Sequence, residues 1–400
     1  MRVTVFAFDL PYPANSGGRL DIWSQLLAMI AAGYKVQLWC FTHAAATTTD
    51  IDVLRSFGLE EVHVLAYTET QARKRSVVCR LGWLMQKFFS PMPSCVSGTN
   101  LNKHVRSSVV REIDRFAPSV IVAHGIQTTG AVRSVVRRLP HIPWVYRSHN
   151  NERNYYREQA RAAEFGVKML GLSWQRVRLA WYEPWLLRKA GAVLNISKTE
   201  HELFVSQGYE HQFWVPPVYT FYNCSETRQP TWDVGILSSW FASQKQEGLR
   251  WFFEKVRPLF NPQLRVLVAG SGAPGWLKVY CESKGAVFLG PVDSPTDFYS
   301  SSRVIVNPVL RGAGVNMKTM EMLSSGRALV STPAGMAGLP DGVADWVRIG
   351  INEIEMAKHI EDALLAPPRV VPVSVFDPFS PKSFIATFTV ACSVARQNLG

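Results

Sequence analysis

The sequence predicts an α/β protein of two Rossmann-like domains, each built on a parallel sheet, and three observations carry that expectation. Short, continuously apolar runs alternate with helix-length segments, the pattern of strands covered on both faces by crossover helices. The alternation breaks once, from about Val215 to Thr231, in a stretch rich in Pro, polar residues and aromatics, and then restarts. The 400 residues exceed what one core holds, at roughly 150 residues per domain.

Taken in order, "RVTVFAF" reads as the first strand, followed by a Gly-containing loop and a helix from about Leu20 to Ala32. The strands "KVQLWCF" and "EVHVLAY" come next. Arg73 to Ser97 mixes Arg73, Lys74, Arg75, Arg80 and Lys87 with Trp83, Phe88 and Phe89. Such a segment either rests on an anionic bilayer or is a helix with one buried and one solvated face. Strands follow at Ser119 to His124 and Trp144 to His149. Asn151 to Lys189 is a long helical region, again rich in Lys and Arg and carrying Trp174, Trp181 and Trp185, with the same two readings. Ala190 to Gly208 reads as strand, loop and helix, with Ser197 as N-cap and Glu200 in the first turn.

After the break the pattern repeats: strand "WDVGILSS", helix "QEGLRWFFEKVRPLF", strand "LRVLVAG", a helix near Trp276 to Lys284, strand "AVFLG" and helix "SPTDFYSS". Past Val330 the alternation weakens. Pro367, Pro368, Pro372 and Pro378 mark an extended segment before a last helix from about Pro381 to Gln397. The expected organisation is therefore a first domain over 1–215, a second over 216–378, and a C-terminal helix over 379–400 that returns to the first.

Composition narrows the function. A hydrophobic content of 47% and an aromatic content of 12% exclude a disordered chain, and a net charge of +12 favours an acidic partner. Nucleic acid, anionic lipid and a phosphorylated substrate all qualify. The six cysteines show no C-x-x-C pair and no zinc spacing, so they read as reduced thiols of a cytoplasmic protein. "MRVTVFAFDLPYP" is a poor signal peptide and suits a buried strand. No run approaches the roughly 18 apolar residues of a spanning helix, so membrane contact is expected to be peripheral.

The most informative stretch is Asn307 to Thr332, "NPVLRGAGVNMKTMEMLSSGRALVST". A strand runs into Pro308, a Gly loop opens at Gly312, and an amphipathic helix begins near Asn316. Glycines let backbone N–H groups approach an anion, and the helix N-terminus adds roughly half a positive charge. Lys318 and Glu321 lie three apart on one helical face, so a cation and a carboxylate point the same way. A phosphate-linked ribose uses both; turn glycines with a solvated ion pair is the plain alternative. "PYPANSGGRL" sets Gly17, Gly18 and Arg19 between the first strand and the first helix, for a phosphate or for a tight turn. "SHNNE" puts His149, Asn150 and Glu152 just past a strand end, where α/β sheets bind ligands. "GSGAPG", Gly270 to Gly275, matches G-x-G-x-x-G after a strand, with Asp293 about 20 residues on, but Pro274 stands where the loop should become helix.

Together these residues resemble the retaining glycosyltransferases of the GT-B fold, in the group 1 (family 4) set. The donor signature "P-x-x-x-G-x-G-x-x-x-K-x-x-E" is met by Pro308, Gly312, Gly314, Lys318 and Glu321, with Gly326 closing the helix; "PYPANSGGR" and "SHNNE" are similar too. The resemblance implies two Rossmann-like domains facing across a cleft and transfer of a sugar from a nucleotide-sugar to a saccharide, lipid-linked or other acceptor in polysaccharide or glycoconjugate assembly. Neither metal, nor other cofactor, nor nucleic acid is implied.

By the same resemblance, Glu321 accepts the ribose hydroxyls, and Lys318, with Arg311 or Lys245, neutralises the diphosphate. Ser238 and Gly270, Ser271 and Gly272 line the donor pocket, Pro291 and Val292 meet the base, and the backbone from Gly312 through Ala313, Gly314, Val315 and Asn316 to Met317 holds the donor. His149 lies beside the reacting sugar, Gly17 and Gly18 approach donor phosphates or acceptor, and Arg19, Asn150 and Glu152 serve the acceptor. Two departures stand out: Ala313 occupies a position where many members carry Glu, and only Lys245 of the usual basic pair is present. A nicotinamide-dependent oxidoreductase using Gly270 to Gly275, or a non-catalytic glycosyltransferase-like binding protein, are the alternatives.

Overall fold

Every strand pairing observed is parallel, as apolar strands joined by helical crossovers require. The structure, a computed structural model, describes residues 1–14, 16–42, 48–67, 90, 92–162, 166–219, 221, 229–311, 315–367 and 369–398. Among them the first half forms β1 (Arg2–Ala7), β2 (Lys35–Thr42), β3 (Glu61–Ala66), β4 (Val120–His124), β5 (Trp144–Ser148), β6 (Ala192–Asn195) and β7 (Gln212–Trp214), in the sheet order β3-β2-β1-β4-β5-β6-β7. The second half forms β8 (Trp232–Leu237), β9 (Val266–Ala269), β10 (Ala286–Phe288), β11 (Ser302–Asn307), β12 (Ala328–Ser331) and β13 (Arg348–Ile349), in the order β10-β9-β8-β11-β12-β13. Both are doubly wound α/β sheets, as the sequence predicts.

Each order reverses direction once, between β1 and β4 in the first sheet and between β8 and β11 in the second. At such a switch point successive crossovers leave in opposite directions and open a crevice beyond the strand C-termini. The candidate residues lie in the segments that follow β1 and β5 in one unit and β8, β9, β10 and β11 in the other.

The chain forms two compact units, Met1–Tyr219 with Phe379–Gly400, and Thr220–Pro378. The C-terminal helix Pro381–Gln397 starts at the N-cap Ser380, whose hydroxyl accepts from Ser383 N–H, with Pro381 at the first helical position. Its buried face of Phe384, Phe388, Ala391, Cys392 and Ala395 joins the core of Val3, Val5, Val36 and Val145 on one side of the first sheet. A second core, around Phe6, Phe116, Ile121 and Tyr146, fills the other side. A third, around Phe252, Val268 and Val304, lies in the second unit.

Local chemistry corrects several expectations. The first helix spans Gly17–Ala31, so Gly17 and Gly18 lie in its first turn and not in a preceding loop. Ser16 decides this, because its hydroxyl caps the helix by accepting from Arg19 N–H at 3.4 Å. Gly18 packs closely on Phe8, and a Cβ there would sit 2.8 Å from the tip of its ring. The basic region after residue 151 divides into Glu152–Ala162 and Val167–Lys189. The helix after β8 stops at Trp251 and passes into a wider π turn, Phe252–Val256. Of the basic-aromatic stretch Arg73 to Ser97, residues 73–89 and 91 lie outside the described residues, as do Gly312, Ala313 and Gly314.

Phe388 is fully buried and stacks on Phe384 at 5.5 Å between ring centroids. Truncation to alanine leaves a cavity between the last helix and the first sheet. Phe388→Ala is expected to destabilise the first unit by about 3–5 kcal/mol, read from its urea midpoint; a change under about 1 kcal/mol would show that the helix does not contribute to this core.

Candidate active site

In the second unit, Lys318 and Glu321 sit on the helix Met317–Ser324, which leaves the C-terminal end of β11. The N-cap Asn316 makes no side-chain capping bond, so the first-turn N–H groups are not covered by it. Lys318 Nζ donates to Glu321 Oε1 at 2.9 Å, and Tyr299 OH, from the helix Pro295–Ser300, donates to the same oxygen at 2.9 Å. Neither bond involves Oε2. Thr319, one turn inside, receives a hydrogen bond from Asn307 Nδ2 at 3.0 Å, which fixes the helix to the end of β11.

Lys245 lies in the first turn of Ser243–Trp251, the helix after β8 on the other side of the switch point. Burial lowers its ammonium pKa, and the nearby Lys318 charge lowers it further. Two lysines close enough to repel, with Glu321 bound to one of them, make a site with spare positive charge. Arg311 contributes less, because its guanidinium is paired with Glu247.

The loops after β8, β9 and β10 meet at the same edge. Trp240 N–H donates to Ser271 O at 2.8 Å and Gly270 N–H to Gly290 O at 2.7 Å, which brings Ser238, Gly270, Ser271 and Gly272 beside the chain leading into Pro291 and Val292. Gly270 has φ +139°, and a Cβ there would lie 1.7 Å from Ser238 O. The fingerprint glycine thus accommodates the chain's own backbone. Pro274 is the N-cap of the helix Gly275–Ser283. Val315 precedes Asn316 and Met317 at the helix start, and Asn316 N–H donates to Ala337 O at 3.2 Å.

In the first unit, His149 follows β5 and Arg147 lies within it, while His124 ends β4 and Asp21 lies in the helix Gly17–Ala31. Arg147 and Asp21 are fully buried and doubly bonded, Nη2 to Oδ1 at 2.7 Å and Nε to Oδ2 at 3.1 Å. Burial would raise the Asp21 carboxyl, but Arg147, His149 and His124 outweigh it and hold the pKa at about 2. His124 Nδ1 and His149 Nε2 lie 3.2 Å apart. Burial pushes His149 down to about 4 and His124 well below its ordinary value, each against the opposing pull of Asp21. Both imidazoles are neutral at pH 7.

Arg19 Nε donates to Asp9 Oδ2 at 2.8 Å in a part-exposed pair. Asn150 is half-buried, and its carbonyl accepts from Ser148 Oγ at 3.3 Å. Glu152, expected to serve the acceptor, is only 3% exposed. It belongs to a carboxyl cluster: Glu183 accepts from Glu152 N–H and Glu200 from Asn151 N–H, each at 2.8 Å, so the two acids hold the start of Glu152–Ala162. Burial and mutual repulsion raise Glu152 to about 8; burial is the main cause that lifts Glu183 and Glu200 to about 7. Sequence reading missed Asp21, Arg147, His124, Glu183 and Tyr299; only Tyr299 had a nearby signal, the aromatic helix "SPTDFYSS" leading into the donor stretch.

Comparison with known proteins gives a consistent result. Residues 233–365 match the family described as glycosyl transferases group 1, and residues 16–217 match the glycosyl transferase 4-like domain. A Klebsiella pneumoniae protein named "uncharacterized 44.6 kDa protein in cps region" is 23% identical over 381 residues, 90% of each chain. The crystal structure of Anabaena HepE in complex with UDP is similar with a TM-score of 0.59 at 14% identity, covering 98% of this chain and 100% of that one. The lipopolysaccharide outer core galactosyltransferase WaaB, in apo form, is similar with a TM-score of 0.60 at 9% identity, covering 98% and 99%. At these identities the likeness to the solved structures is one of fold.

The buried carboxyls make stability pH-dependent. A carboxyl whose folded pKa stands above its ordinary 4.5 favours the folded state below that value and loses the contribution as pH rises through about 7. The melting temperature is therefore expected to fall between about pH 5 and 8. Glu183→Gln, which keeps an acceptor for Glu152 N–H, should flatten that decline and melt higher than the parent at pH 8. A parallel decline in both proteins would refute the assignment.

Proposed function

The chain belongs to the group 1 glycosyltransferases, and we propose that it transfers a sugar, with retention at the anomeric carbon, from a nucleoside diphosphate sugar to a saccharide or lipid-linked acceptor in surface polysaccharide assembly. One observation carries the donor assignment: Lys245 and Lys318 flank a helix N-terminus while Glu321 keeps one oxygen out of its bonds to Lys318 and Tyr299. The lysines and the helix dipole meet the negative charge that grows on a departing diphosphate, and Glu321 Oε2 accepts the ribose hydroxyls. On this reading protein cations do the work a metal ion would otherwise do. The UDP bound to HepE and the cps-region name of the Klebsiella relative support the donor class and the polysaccharide clause respectively. In the first unit, the neutral ring of His149 is read as a sugar contact.

The proposal extends to a cytoplasmic protein resting on an anionic membrane. Among the described residues no helix is long and apolar enough to cross one. Yet the helix Val167–Lys189 exposes Leu170, Trp174, Val177 and Trp181, the last at 81%, at a spacing of four, three and four along one face. Arg176, Arg188 and Lys189 are exposed on the same helix. Interfacial tryptophans with basic flanks suit an acidic bilayer, each cation adding about 1 kcal/mol near the surface.

Three measurements test these statements. A thermal-shift panel should show stabilisation by UDP or GDP and none by NAD or NADH, with about 2.7 kcal/mol at a hundredfold excess over Kd. Glu321→Ala and Lys318→Ala should each reduce turnover of the stabilising nucleotide's sugar by about 10²–10³-fold; unchanged turnover would remove their roles. Trp174→Ala with Trp181→Ala should abolish co-sedimentation with phosphatidylglycerol vesicles at low salt, and a parent protein that never sediments would sink the membrane clause.

A further inference from the structure

Resting on the reading of His149 as a sugar contact, we infer that Asp21 and His124 are positioning residues that hold the His149 proton on Nε2, turned inward, so that its Nδ1 presents a lone pair to a donating hydroxyl of the bound sugar. Asp21 is held by three hydrogen bonds. Its Oδ1 accepts from Arg147 Nη2 at 2.7 Å and from Gln25 Nε2 at 3.1 Å, and its Oδ2 accepts from Arg147 Nε at 3.1 Å. Oδ2 also lies 3.6 Å from His149 Nε2 and 3.9 Å from His124 Nδ1. The carboxylate is thus clamped in one orientation, with its second oxygen facing the gap between the two imidazoles.

Those two nitrogens are 3.2 Å apart, which is one hydrogen bond and room for one proton. An anion nearby favours the proton on whichever nitrogen is nearer, and that nitrogen is His149 Nε2. His124 Nδ1 is then the acceptor. Burial keeps both rings neutral, so no second proton enters the gap at neutral pH. The His149 ring is further held by an edge-on contact with Phe8, at 5.5 Å and 82°. Its remaining polar atom, Nδ1, makes no hydrogen bond to any described residue, and the ring is 13% exposed. A fixed acceptor at the mouth of a buried network selects a group that donates, such as a sugar hydroxyl.

The same three side chains place ligand atoms within 4.8 Å of one another, as a metal site would. The Arg147 guanidinium occupies both carboxylate oxygens and opposes a dication there. The tautomer lock is the reading that uses every contact.

Nitrogen-15 NMR of the full chain labelled at histidine tests the inference without any substrate, with His149 assigned by its loss in His149→Gln. The expected spectrum has His149 protonated at Nε2 and unprotonated at Nδ1 from pH 5.5 to 8, unchanged by equimolar zinc. A proton on Nδ1, or zinc displacing it, would overturn the inference. His124→Leu removes the acceptor and should give mixed tautomers and about tenfold or greater loss of kcat with little change in KM. His124→Gln, whose amide oxygen can accept from Nε2–H, should restore much of both; equal behaviour of the two variants counts against the role. Asp21→Asn should mix the tautomers as well, and His124→Leu decides the matter if that variant does not fold. A locked tautomer in a protein that turns over no nucleotide-sugar would defeat the proposed function while leaving the lock intact.

Discussion

The buried pair of Arg147 and Asp21 is the constraint on which the first unit depends. A guanidinium and a carboxylate with essentially no solvent exposure would each cost several kcal/mol in desolvation if left alone. They are tolerated because each guanidinium nitrogen has a partner: two bonds join the pair, Gln25 adds a third to Asp21, and Arg147 reaches the backbone oxygen of Val215. The network thereby ties β5 to the first helix and to the chain just past β7. Removing one partner would strand the other, at about 3–5 kcal/mol. Everything at the C-terminal edge of the first sheet is held against that fixed point, including His124 and His149.

The second unit treats charge in the opposite way. Burial, and then the nearby Lys318 charge, lower the Lys245 pKa, and one carboxylate, Glu321, bonds to Lys318. Such a site is incomplete in charge. On the proposed reading its most favourable state is the one with an anion present, because an anion relieves the repulsion and takes up the helix dipole at once. Both arrangements stand at switch points of their sheets, so one topological rule serves a balanced network in one unit and a cation excess in the other.

What was legible in the sequence follows from the range of the interactions. The strands could be read because burial on both faces leaves a continuous apolar run. The last helix could be read because its caps are local. Lys318 and Glu321 are three residues apart, and helix geometry alone makes them neighbours. Asp21 and Arg147 are separated by 126 residues, and His124 and His149 by 25. Nothing in Asp21's local pattern distinguishes it from an exposed helix acid. The environment of Glu152 was hidden for a related reason: its place after a strand was legible, while Glu183 and Glu200, which hold its helix start, are distant in sequence. The Gly17–Gly18 pair suggested a turn, whereas both residues lie in the first turn of a helix that Ser16 caps.

The contrast between the units bears on selectivity. A cation excess and a helix N-terminus attract any nucleoside diphosphate, since charge and dipole act with little regard to direction. Distinguishing one sugar from another needs groups whose hydrogen bonds have a defined direction and whose partners are missed when absent, because an unpaired polar atom in a shielded site costs more than a poor fit between apolar surfaces. A neutral imidazole fixed by a buried carboxylate has that property, and its neutrality keeps it from competing for the diphosphate. On the proposed reading, affinity for the diphosphate is a property of Lys245, Lys318 and Glu321 in the second unit, and recognition of a sugar hydroxyl is a property of His149 and the buried charges that orient it in the first.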